Sequence, residues 1–163
     1  TPNIDEPLES GIEVNLRMPA LIPEEYLPDV HARLILYKRI ANAADREQRD
    51  DLRAEVVDRF GPLPPPLRQL FQVTELKLRL QPLGIDRLDL GDGGGRIEFG
   101  AATSVDPLAI VKLVQSQPAT YRLEGGANLR VTRKLASFDE RVAFAEHVLE
   151  RLETPVVARA SKA

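Results

Sequence analysis

Asp51, Glu55 and Asp58 recur at i, i+4 and i+7 in a segment rich in helix formers, so on a 3.6-residue helix they share one face, turned away from Leu52, Val56 and Phe60. Stacked like charges repel, so the stripe is either a well-solvated face or a surface matched to cations. On sequence physics both readings stay open. Other chemistry is thinly represented. The two histidines, His31 and His147, fall in helical patterns and read as exposed side chains rather than as acid–base catalysts. No His/Asp/Glu spacing of the H-E-x-x-H kind occurs, and cysteine is absent, so no metal centre, disulfide or thiolate chemistry is implied. The acid pairs Asp50/Asp51 and Glu24/Glu25 carry no local sign of a cleft.

The glycine run Gly91-Asp92-Gly93-Gly94-Gly95 lacks a G-K-[ST] ending and leads into a strand, so it reads as a hairpin turn and not as a phosphate cradle. Gly125-Gly126-Ala127-Asn128 reads the same way. Ser104, Ser116 and Ser137 lack a nucleophile-elbow context, and Ser104 and Ser137 suit helix caps. No catalytic residue and no cofactor site emerges. A basic group, Arg122, Arg130, Arg133 and Lys134, lies on or beside the second hairpin, with Tyr121 as a possible stacking ring. It supports an alternative reading as a nucleic-acid patch, although a solvated strand suits it better with so few aromatics. Arg33, Lys38 and Arg39 on the preceding helix most simply oppose the acids of the stripe.

The elements that hold these groups follow from periodicity. Ile12, Val14, Leu16 and Met18 alternate with polar residues as a half-buried strand ended by Pro19. Asp29 caps a helix with the stripe Leu34, Tyr37, Ile40, Ala41 and Ala44. Asp45 and Gln48 form a capping box for the acidic helix, which Phe60-Gly61-Pro62 stops with a left-handed glycine cap. Pro64, Pro65 and Pro66 open a third helix that ends by Pro82-Leu83-Gly84. Then come strands 85–90 and 96–99, a helix over 107–117, strands 121–123 and 129–132, and a last helix capped by Ser137 and Glu140 and ended by Pro155. The class is α+β: an N-terminal strand and three-helix half, then a small, mostly antiparallel sheet of two hairpins with helices packed on one face.

At 163 residues, 43% hydrophobic and 29% charged, the chain has the composition of an ordinary globular domain. A net charge of -3 argues against attraction of the whole surface to nucleic acid. No apolar run spans a bilayer, and the lack of cysteine suits the cytoplasm. The expected organisation is a flexible leader over 1–11, one domain over 12–154 and a flexible tail over 155–163. The start at Thr1-Pro2, without Met or a signal-type segment, is expected of one module of a longer protein.

The run Leu36-Tyr37-Lys38-Arg39-Ile40-Ala41, the helix end Val57-Asp58-Arg59-Phe60-Gly61-Pro62-Leu63-Pro64, then Leu83-Gly84-Ile85 and Arg96-Ile97-Glu98-Phe99 together resemble the C-terminal domain of the bacterial transcription-repair coupling factors. Upstream Ile22-Pro23 and Tyr26-Leu27-Pro28-Asp29, and downstream Tyr121-Arg122-Leu123-Glu124-Gly125, fit the same family in the same order, covering residues 12 to 153. The resemblance implies a parent ATP-driven DNA translocase that binds double-stranded DNA, displaces stalled RNA polymerase and recruits the excision-repair protein UvrA. This segment carries none of the translocase motifs, so it is expected to be non-catalytic. In the family the domain clamps onto an N-terminal UvrB-like module and masks the arginine-bearing surface that binds UvrA. Carried onto this chain, the role falls to Glu55 and Asp58 first and Asp51 second.

Overall fold

The computed structural model describes residues 11–153. Most of the leader and all of the tail expected from sequence lie outside the described residues. Among these, the order is β1 (Glu13–Asn15), α1 (Val30–Asn42), α2 (Arg46–Phe60), α3 (Pro65–Leu80), a short 3-10 turn (Gln81–Leu83), β2 (Ile85–Gly91), β3 (Gly94–Phe99), α4 (Pro107–Ser116), β4 (Tyr121–Glu124), β5 (Asn128–Thr132) and α5 (Phe138–Glu153). This is the α+β class read from the sequence. The described chain divides into two compact units, one from Met18 to Glu75, the other joining Gly11–Arg17 to the residues from Leu76 onward.

In the first unit Ile22, Leu27, Leu36, Ile40, Leu52, Val56, Leu67 and Phe71 form one apolar core, with Tyr37 and Phe60 packed against it. Asp29 accepts from the His31 N–H to start α1. The Asp45 carboxylate accepts from the Gln48 N–H at 2.8 Å, and Gln48 Oε1 accepts from the Ala44 N–H at 2.9 Å, so the capping box forms one residue wider than its usual reciprocal pair. Gly61 ends α2 at φ 100°, ψ -177°, a conformation open essentially to glycine but not the left-handed helical cap expected from sequence. Tyr26 locks that corner by donating its hydroxyl to the Gly61 carbonyl at 2.6 Å.

The inward face of α1 differs from the expected stripe. Arg33, Leu36 and Ile40 are buried, while Ala41 and Ala44 are exposed. Two alanines lose little by facing water, whereas Leu36 and Ile40 gain more by burial. Arg33 tolerates burial because its Nη1 donates to the carbonyls of Leu27 and Pro28 at 3.0 and 3.1 Å. It therefore does not oppose the acids of α2.

In the second unit the sheet has the order β1-β2-β3-β5-β4, antiparallel except where β1 pairs parallel with β2. The strand read over Ile12 to Met18 is shorter, because Arg17 adopts φ 62° and turns the chain. Alternation gives the sheet one buried face, including Leu88, Leu90, Ile97, Leu129 and Val131. On that side Tyr121 of β4 stacks on Phe144 of α5 with centroids 6.1 Å apart. The opposite face is a lattice of charges: Arg17 on Asp89, Arg87 on Glu13 and Glu98, Arg96 on Glu98, and Arg130 on Glu124. Ser137 and Glu140 cap α5 reciprocally, as expected. Ser104 caps nothing; its hydroxyl donates to the Pro82 carbonyl, and Asp106 is the cap of α4.

Candidate functional site

The α1–α2 hairpin sets up the acidic face. With Arg49, Leu52 and Val56 buried, the helix phase turns Asp51 and Asp58 outward and leaves Glu55 partly exposed. The three acids nonetheless stand in different surroundings. Glu55 is gripped by Arg39 of α1, whose Nη1 and Nη2 donate to its two carboxylate oxygens at 2.6 and 2.8 Å. Arg59 Nη1 stands 3.7 Å from the same carboxylate, one turn along α2. These contacts, chiefly the Arg39 hydrogen bonds, hold the Glu55 carboxyl below its ordinary value and raise the Arg39 guanidinium. Among the described residues Asp51 and Asp58 have no ion-pair partner.

A cleft of about 510 Å³ opens between the two helices, with Lys38, Arg39 and Asn42 from α1 on one wall and Gln48, Asp51 and Glu55 from α2 on the other. Ile35 lines it at 46% exposure. Sequence reasoning placed the acids and set Arg39 opposite them, but it missed the cleft and Ile35. The signal was there: Ile35 falls off the 33–36–40 spacing of the buried side.

The basic group separates. Arg130 faces Arg122 on β4 and Arg96 on β3, so those arginines share the solvent face of the sheet, and Arg130 is already paired with Glu124 at 3.2 Å. Arg133 lies 5.4 Å from the Phe144 ring, on the other side of the sheet, and with Lys134 and His147 lines a separate cleft. Tyr121 is 2% exposed and offers no stacking surface. The glycine run also serves the sheet: a Cβ on Gly95 would stand 1.8 Å from the Asp89 carbonyl oxygen, and one on Gly94 2.2 Å from that of Val131. Among the described residues no cluster of three metal-ligating side chains occurs, and no helix is long and apolar enough to cross a membrane.

A family model described as the TRCF domain matches residues 16–110. The chain belongs to the transcription-repair coupling factor family. It is 38% identical over 151 residues to the transcription-repair-coupling factor of Haemophilus influenzae, covering 93% of this chain and 13% of that protein. To its Escherichia coli counterpart it is 36% identical over 157 residues, covering 96% of the chain and 14% of that protein. The chain thus spans about one seventh of the length of these curated relatives. A crystal structure of the C-terminal domain of a transcription-repair coupling factor superposes with a TM-score of 0.69 at 22% identity, covering 87% of this chain and 94% of that one. The fold described above is therefore that of a coupling-factor C-terminal domain, and the α1–α2 hairpin with its acidic face falls within the matched family segment.

Proposed function

We propose that residues 12–154 form the non-catalytic regulatory domain of a cytoplasmic, DNA-translocating coupling factor that binds RNA polymerase and UvrA. The domain docks on the UvrB-like N-terminal module of the same protein and covers the surface that binds UvrA until the parent engages polymerase. The observation that carries this reading is the outward acidic face of α2, Asp51, Glu55 and Asp58, in a chain of this family. Arginine forks on a partner surface match carboxylates in this spacing through charge-assisted, bidentate hydrogen bonds.

The test is a titration of the 163-residue chain against the UvrB-like module, with UvrA as competitor. Reversal of both acids, Glu55→Lys with Asp58→Lys, is expected to weaken docking at least about tenfold while the domain still melts cooperatively. Unchanged affinity of the double reversal, or UvrA binding that does not compete, overturns the reading.

A further inference from the structure

We propose that Arg39 is a built-in competitor for the docking carboxylate: it occupies Glu55 in the free domain, and an arginine of the partner surface takes Glu55 only by displacing it. The inference rests on the docking reading above and adds its regulation. A carboxylate offers two oxygens in one plane, and a guanidinium fork can satisfy both at once. Arg39 does so, at 2.6 and 2.8 Å, and thereby occupies the edge that an incoming fork would need. The Glu55 carboxylate is paired before any partner arrives.

The neighbouring groups fit an exchange. Asp58, exposed and without an ion-pair partner among the described residues, is free to attract the incoming cation first. Arg39 and Glu55 keep 44% and 40% of their side chains in water, so solvent can fill either site as the pair opens. Asp51 lines the same cleft as Arg39, one helical turn before Glu55, and gives the displaced guanidinium a second carboxylate. Docking strength then depends on the difference between two arginines competing for one acid. That difference keeps the clamp releasable, since a contact made equally well in both states shifts no equilibrium.

The experiment compares Arg39→Gln and Arg39→Lys in the 163-residue chain, titrated against the UvrB-like module, with Asp58→Lys as reference. Removing the fork is expected to tighten docking about two- to fivefold in Arg39→Gln. Arg39→Lys, which keeps the charge but loses the fork, is expected to tighten it by a smaller factor. Weaker or unchanged docking by Arg39→Gln overturns the competitor role, because Arg39 would then be orienting Glu55 or be irrelevant to it. Tightening by Arg39→Gln alone also overturns it, as an effect of net charge. Where Asp58→Lys weakens docking but Arg39→Gln does not tighten it, the docking reading stands and only the competitor falls. If the double reversal, Glu55→Lys with Asp58→Lys, changes nothing, both fall.

Discussion

Glu55 and Asp58 lie three positions apart on one helix, yet only Glu55 carries an internal cation. The helical period made their shared face legible from the sequence. The bond to Arg39, 16 positions earlier, was foreshadowed only as opposition of charges, because the α1–α2 turn decides which basic side chain reaches which acid. The pair has a pH signature. The folded-state pKa of Glu55 lies below the ordinary glutamate value, first because of the Arg39 hydrogen bond. Its contribution to stability is therefore present above the unfolded pKa and lost as pH falls through the folded value. A carboxyl-carbon NMR titration is expected to place the Glu55 midpoint below that of an ordinary exposed glutamate, and Arg39→Gln is expected to move it back up. A midpoint indifferent to Arg39→Gln would show that the bond does not persist in solution.

Local punctuation in the chain carried most of the element boundaries. Asp45 with Gln48, Ser137 with Glu140, and the Gly61-Pro62 stop mark helix ends through hydrogen bonds made within a few residues, so each is visible without tertiary information. The buried side of α1 was less visible, because Ala41 and Ala44 fit either side and the acceptors for Arg33 lie outside the helix. The glycine run was legible as a hairpin, but the need for glycine at Gly94 and Gly95 was not, since it arises from the neighbouring strands β5 and β2. Gly95→Ala, whose methyl would meet the Asp89 carbonyl oxygen at 1.8 Å, is expected to destabilise the second unit by at least about 1–3 kcal/mol in urea unfolding. Gly93→Ala, with nothing within 4 Å, is the matched control and is expected to cost far less.

On the scale of the molecule, chain order and spatial order part company. β1 enters the sheet beside β2 across more than 70 residues, pairing Glu13 with Arg87 and Asn15 with Asp89. Arg141 of α5 secures that return: it is 6% exposed and donates from Nη1 to the Leu16 carbonyl at 2.8 Å and from Nε to the Leu135 carbonyl at 3.0 Å. Arg141→Met keeps the bulk and strands both carbonyls, and is expected to cost about 2–5 kcal/mol in urea unfolding with little change in slope. A loss under about 1 kcal/mol would mean water replaces the guanidinium.

The amino-acid sequence by itself determined the class, nearly every helix and strand, the caps of α1, α2 and α5 at their N-termini and the outward acidic face, because these follow from periods of 2 and 3.6 residues and from hydrogen bonds between near neighbours. Tertiary structure alone decided that Glu55 meets Arg39 across a cleft, that Arg133 parts from Arg122 and Arg130 to opposite sides of the sheet, and that Arg141 holds the end of β1. Each of those depends on which distant segments the hydrophobic core brings together, and no local pattern of residue types encodes that pairing.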